Sequence, residues 1–168
     1  MLYLLDANVL IDANRDYYAI DRVREFWEWL IYQGQQDQLK IPIEIYEEIV
    51  VGNDSLAKWL KENGARSSLQ FNQNVEQTLV AMVIDMGYAN DLSDDEIENI
   101  GRDPFLIAYA FADPANRCIV TTEGSKPSMT RANRHIPDIC DDLNINWCDS
   151  FEFLRRLDFK TDWITHIN

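Results

Sequence analysis

Four acidic residues stand where carboxylates could share one cation: Asp6 in LYLLDANVLI, Glu48 in IPIEIYEEIVVG, Asp103 in GRDPFLIAYAFA and Glu123 in CIVTTEG. Each follows a short apolar run or lies on a helix beside one. In a parallel sheet all four would therefore face the crevice at the carboxyl ends of its strands. Carboxylates packed that closely cannot all stay ionised alone, because each raises the pKa of its neighbours. A hard divalent cation that prefers oxygen, Mg²⁺ or Mn²⁺, resolves the repulsion, and the chemistry of such a centre is metal-assisted hydrolysis of a phosphodiester. Other residue types compete weakly for the role. The two histidines, His135 and His166, lie in unrelated contexts, and Cys118, Cys140 and Cys148 lack the CxxC spacing of a zinc or redox site. Buried, reduced thiols are what their apolar settings predict.

Those acids need elements to hold them. Leu2 to Leu5 predicts a buried strand, with Asp6 at its junction to a helix and Asn8 beside it as a capping side chain. Apolar residues at helical spacing predict a helix over 18–32 that Gly34 ends, then a strand over 39–41 and a helix opened by Pro42. On that helix Glu44, Glu47 and Glu48 share one face, so the pattern alone selects no ligand among them. Further helices are expected over 54–64 and 72–86, then a loop over 87–101 whose run Asp94-Asp95-Glu96 reads as a solvated helix start. Asp103-Pro104 fits an N-cap and first turn, which gives Asp103 a structural reason to exist whatever its chemistry. Strands over 118–121 and 145–148 alternate with helices over 136–143 and 150–157. The alternation predicts an α/β fold, a three-layer α/β/α sandwich around a central, mainly parallel sheet of four or five strands.

At 168 residues the chain is expected to form one domain over 1–168, and no run approaches the roughly 20 apolar residues of a membrane span. MLYLLDANVL lacks a basic n-region and a cleavage site, so it reads as a first strand, and a cytoplasmic location is expected. A net charge of −14 argues against a broad basic grip on nucleic acid. It leaves room for an acidic crevice that metal neutralises locally, and it suits a basic partner protein. The segment from Gly124 to Pro137 carries Lys126, Arg131 and Arg134 and no acid, which makes it the expected phosphate-contacting rim. A nucleotide-binding Rossmann domain is argued against by the missing glycine-rich loop, and a phosphoacceptor receiver by the single acid after the first strand.

The same motifs, in this order, resemble those of the PIN-domain nucleases, most closely the toxin-type members and a DUF4411-like branch. LLDANVLI matches the strand with an Asp and an Asn two residues on, which assigns Asp6 and Asn8. EIVVG matches a Glu followed by a Gly four positions later and selects Glu48; DPFLIAYAFA matches the third element and gives Asp103; IVTTE matches the fourth and gives Glu123, where an Asp or Asn is more usual. The resemblance implies a PIN-like sandwich and a ribonuclease. Asp6, Glu48 and Asp103 would hold Mg²⁺ or Mn²⁺, Glu123 would complete the site or orient the attacking water, and Asn8 and Thr121 would support them from behind. It also implies an RNA substrate, a protein antitoxin as partner and a homodimer. The alternative is a non-catalytic PIN-like module that binds RNA or protein.

Overall fold

In the computed structural model, which describes residues 1–166 apart from the side chain of Asn63, the first apolar run becomes an inner strand. β1 (Leu2–Leu5) pairs in parallel with β2 (Leu39–Lys40) on one side and with β3 (Arg117–Val120) on the other. β4 (Asn146–Cys148) adds to β3, giving a four-stranded, all-parallel sheet in the order β2-β1-β3-β4. The chain leaves β1 toward one edge and leaves β3 toward the other, so the strand order reverses between them. In open α/β sheets the crevice outside the strand ends opens at that place.

Helices cover both faces, as parallel crossovers require, and the architecture is the expected three-layer α/β/α sandwich. The chain passes through α1 (Ala7–Asp12), α2 (Arg24–Gln35), α3 (Ile43–Val50), α4 (Ser55–Lys61) and α5 (Asn63–Leu69). It continues through α6 (Gln77–Val83), α7 (Asp94–Ile100), α8 (Asp103–Phe111), α9 (Ile136–Asp142) and α10 (Ser150–Arg156). On one face Phe153 of α10 stands edge-on to Tyr3 of β1 at 5.3 Å and to Trp29 of α2 at 5.7 Å. On the other, α8 packs between β3, α6 and α9. Its Leu106, Ile107, Ala108, Tyr109 and Ala110 are all buried, the mark of a helix inside the molecule.

Several boundaries differ from the periodicity. α2 starts at Arg24, and Gly34 lies inside it instead of ending it. A Cβ there would meet the Ser68 carbonyl oxygen at 2.6 Å, so glycine serves close packing against α5. The helix expected to stop at Gly64 breaks at Glu62, whose ψ of 141° is extended, and resumes as α5. Helix 72–86 is shorter, since α6 begins at Gln77. The expected loop over 87–101 contains α7, closed at its start by a capping box in which Ser93 and Glu96 exchange hydrogen bonds. Two π-helical turns, Ala13–Tyr17 after α1 and Ile84–Tyr88 after α6, have no signal in hydrophobic periodicity. Such turns are rare and recur at functional sites.

Candidate functional site

Asp6 follows β1 directly and is 4 % exposed, at the reversal point of the sheet. It does not cap α1. Instead its Oδ2 accepts a 2.9 Å hydrogen bond from the hydroxyl of Thr121, which follows β3 and is fully buried. Thr121 Oγ1 in turn accepts from the Glu123 amide at 3.2 Å. One hydroxyl thus ties the ends of β1 and β3 together. Burial pushes the Asp6 carboxyl up to about 6, the Thr121 bond opposes this, and the charge of Glu123 adds to it.

Asp103 lies in the first turn of α8, with Arg102 as N-cap and Pro104 behind it, and neither Arg102 nor Asp103 makes a side-chain cap. The expected N-cap role is therefore corrected, and the carboxylate is not spent on the helix. Burial, followed by the charges of Asp6, Glu123 and Glu48, pushes it up to about 8. Asp103 thus lies within the field of the other three carboxylates, and Asp6 within that of Glu123. Glu48 is exposed on α3. Glu44, one helical turn earlier, faces Tyr109 further along α8, and Glu47 pairs with Arg102 at 3.7 Å. Glu123 turns toward α9, where its Oε2 accepts the Ile136 amide at 2.8 Å and stands 3.9 Å from His135 Nδ1.

An all-carboxylate donor set suits a hard divalent cation, and carboxyls forced toward neutrality by burial and by neighbouring charge are what such an ion relieves. Among the described residues no three His, Cys, Asp or Glu side chains form a ready ligand set, so the acids are neighbours without being a closed shell. The residues fit the ion in chemistry, and ligation requires their side chains to draw in.

The supporting residues divide. Thr121 is in place behind Asp6, whereas the Asn8 side chain is exposed. Of the three basic residues, Arg131 is bound to Glu96 at 2.7 Å and Asp91 at 2.6 Å. Arg134 donates to the carbonyls of Gly87 and Asp138 and pairs with Asp142. Lys126 is exposed, and its ammonium makes no hydrogen bond or ion pair among the described residues. Two groups escaped the sequence reading. Asp138 accepts from Ser125 Oγ at 2.6 Å and from the Lys126 amide at 2.8 Å, fixing the loop after Glu123. Burial pushes its carboxyl up, but these bonds and the nearby His135 and Arg134 outweigh it and hold it below the ordinary value. Tyr88 ends the second π turn, is 8 % exposed, and its hydroxyl has no hydrogen-bond partner among the described residues. Burial, then the charges of Asp103 and Glu123, drives that phenol well above its usual range, which sets it beside the acids. Nothing in MGYAN announces this.

The fold and site define a doubly wound, parallel α/β domain with an acidic crevice at its reversal point. The chain belongs to the DUF4411 family, a domain of unknown function, whose family model matches residues 3–161. Neither the curated proteins nor the solved structures include a match. Among the described residues no helix is long and apolar enough to cross a membrane.

Proposed function

We propose that the protein is a metal-dependent endoribonuclease of the PIN type. The observation that carries the reading is the pair Asp6 and Asp103, two carboxyls raised to about 6 and about 8 chiefly by burial, with the charge of Glu123 acting on both and that of Asp6 on Asp103. A fold that keeps charge-repelling acids there forgoes stability unless something positive joins them. Bound Mg²⁺ or Mn²⁺ would supply the positive charge that acidifies a water and offsets the developing charge on phosphorus. Asp6, Glu48 and Asp103 would hold the ion. Thr121 keeps Asp6 oriented toward it by spending the hydroxyl proton on Oδ2. Glu123 has one oxygen committed to the Ile136 amide, which leaves Oε1 to accept a proton from the attacking water. Lys126, exposed and with no ammonium partner among the described residues, offers a positive charge at the rim. With a net charge of −14 the molecule suits a basic partner, and the reading extends to a cytoplasmic toxin restrained by a protein antitoxin, with homodimerisation as in the resembling family.

Cleavage of single-stranded RNA by purified protein is expected with Mg²⁺ or Mn²⁺ and not with chelator. Asp103→Asn should lower it by at least roughly a hundredfold. The open arrangement of the acids favours one other reading, a non-catalytic PIN-like module that binds RNA or protein. Absence of both cleavage and divalent-ion binding by calorimetry would select it.

A further inference from the structure

A groove of about 550 Å³ opens beside the acids and meets them at Glu123. It lies between the first π turn and α10, so it occupies the carboxyl ends of β1, β3 and β4 on the α10 side of the sheet. Val9, Ala13 and Phe153, all buried, line it. At its rim stand Tyr17, 59 % exposed, and Phe151, 51 % exposed. They contact each other edge to face at 5.7 Å, although they come from opposite ends of the chain. Among the described Phe, Tyr and Trp residues these are the two left more than half exposed, and both border this one cavity.

We propose that the groove is a subsite for one unpaired nucleobase of the RNA, next to the phosphate that is cut. The inference rests on the nuclease reading and names the substrate class for it, single-stranded RNA. The charges at the rim decide the chemistry of the occupant. Arg15 is bound to Asp12 at 2.8 Å and to Asp16 at 2.7 Å, and Asp149 accepts the Glu152 amide at 2.7 Å as the cap of α10. Arg15, the one cation in the lining, is thus spent on its own neighbours, and the groove holds no cation for a phosphate. A neutral, flat group that stacks on rings fits what remains. A base inside a duplex is covered on both faces and cannot enter, so the groove selects single strands. Because it adjoins Glu123, the stacked base and the scissile phosphate belong to adjacent parts of one strand.

The test is steady-state cleavage of a short RNA by the intact protein with Mn²⁺, comparing the wild type with the double variant Tyr17→Ala, Phe151→Ala. The arms are a single strand, the same strand with one abasic position scanned along it, and the duplex. Base stacking remote from the reacting bond is uniform binding, so the variant should raise KM by about tenfold or more with kcat within about twofold. One abasic position should reproduce that loss on the wild type and add nothing further on the variant. The duplex should be cut poorly by both. Cleavage with KM unchanged in the variant overturns the subsite, leaves the groove to a protein partner and leaves the nuclease reading standing. No cleavage by the wild type with Mn²⁺ overturns both readings together. The abasic arm uses unaltered protein, so the result does not depend on the variant's folding.

Discussion

Asp103 shows how one side chain decides between structure and chemistry. In sequence Asp-Pro looks like a cap and first turn; in the folded chain Arg102 occupies the cap position and the carboxylate is left to its acidic neighbours. Because its folded pKa is raised, the ionised form costs stability at neutral pH and above. Asp103→Asn should therefore stabilise the metal-free protein at pH 8.5 by on the order of 1–2 kcal/mol, a Tm gain of about 2–8 °C, while abolishing cleavage. The gain should shrink at pH 5, where Asp103 already carries a proton. Melts in chelator at both pH values check this, and a lower Tm at pH 8.5 would return Asp103 to a structural role. Tyr88 gives the complementary case. Its hydroxyl has no hydrogen-bond partner among the described residues, so Tyr88→Phe should leave Tm within about 2 °C, since removing an unpaired buried hydroxyl is close to neutral. A fall in kcat in that variant would show that the buried phenol acts on Asp103 and Glu123 beside it.

At the scale of elements, the segment after Glu123 behaves as a brace in which the Lys126 ammonium is without a partner among the described residues. Arg131 holds a left-handed backbone, φ 55°, and ties the segment to Asp91 and to Glu96 in α7. Arg134 bridges the second π turn, through the Gly87 carbonyl, to α9, and α9 in turn holds Glu123 by its first amide. Arg134→Ala should cost about 1–3 kcal/mol, because it leaves partly buried carbonyls unpaired. Lys126→Ala should leave stability unchanged and reduce the salt slope of RNA binding by about 0.7, one phosphate on a single strand. Thermal melts and binding titrations at several ionic strengths separate the two effects. An unchanged slope in the Lys126 variant would remove it from the phosphate path.

For the whole molecule the acids set a pH dependence opposite to that of most proteins' carboxylates. Asp6 and Asp103 have folded values raised to about 6 and about 8 above an ordinary 3.8. Their contribution is fully present below their unfolded values and is lost as pH rises through the folded ones. The metal-free protein should lose a few kcal/mol between pH 4 and pH 8.5, of which Mn²⁺ or Mg²⁺ should restore most at the alkaline end. Differential scanning fluorimetry across that range, with and without the ion, checks it. A Tm independent of the ion at pH 8.5 would remove the metal from the site.

Short apolar runs separated by helical periodicity were enough to predict four strands and a parallel α/β sandwich, because burial on two faces demands continuous hydrophobic strands. The acids Asp6 and Glu123 were legible for the same reason: they stand one and three residues past the strand ends, and parallel pairing carries those ends to one crevice. Other features were decided only by tertiary structure. The broken helix at Glu62 and the start of α2 follow packing that no local window contains. The engagement of Arg131 and Arg134 comes from partners up to 40 and 47 residues away, so an acid-free stretch of sequence became a set of ion pairs. Glu48 stands apart from Glu44 and Glu47 only once α8 lies across α3. Tyr88 and Tyr17 reach the acids and the groove through π turns, which leave the pattern of apolar residues unchanged while altering where the next side chain points. Local sequence sets which backbone groups must be buried and paired; which side chains then meet depends on contacts made across the whole chain.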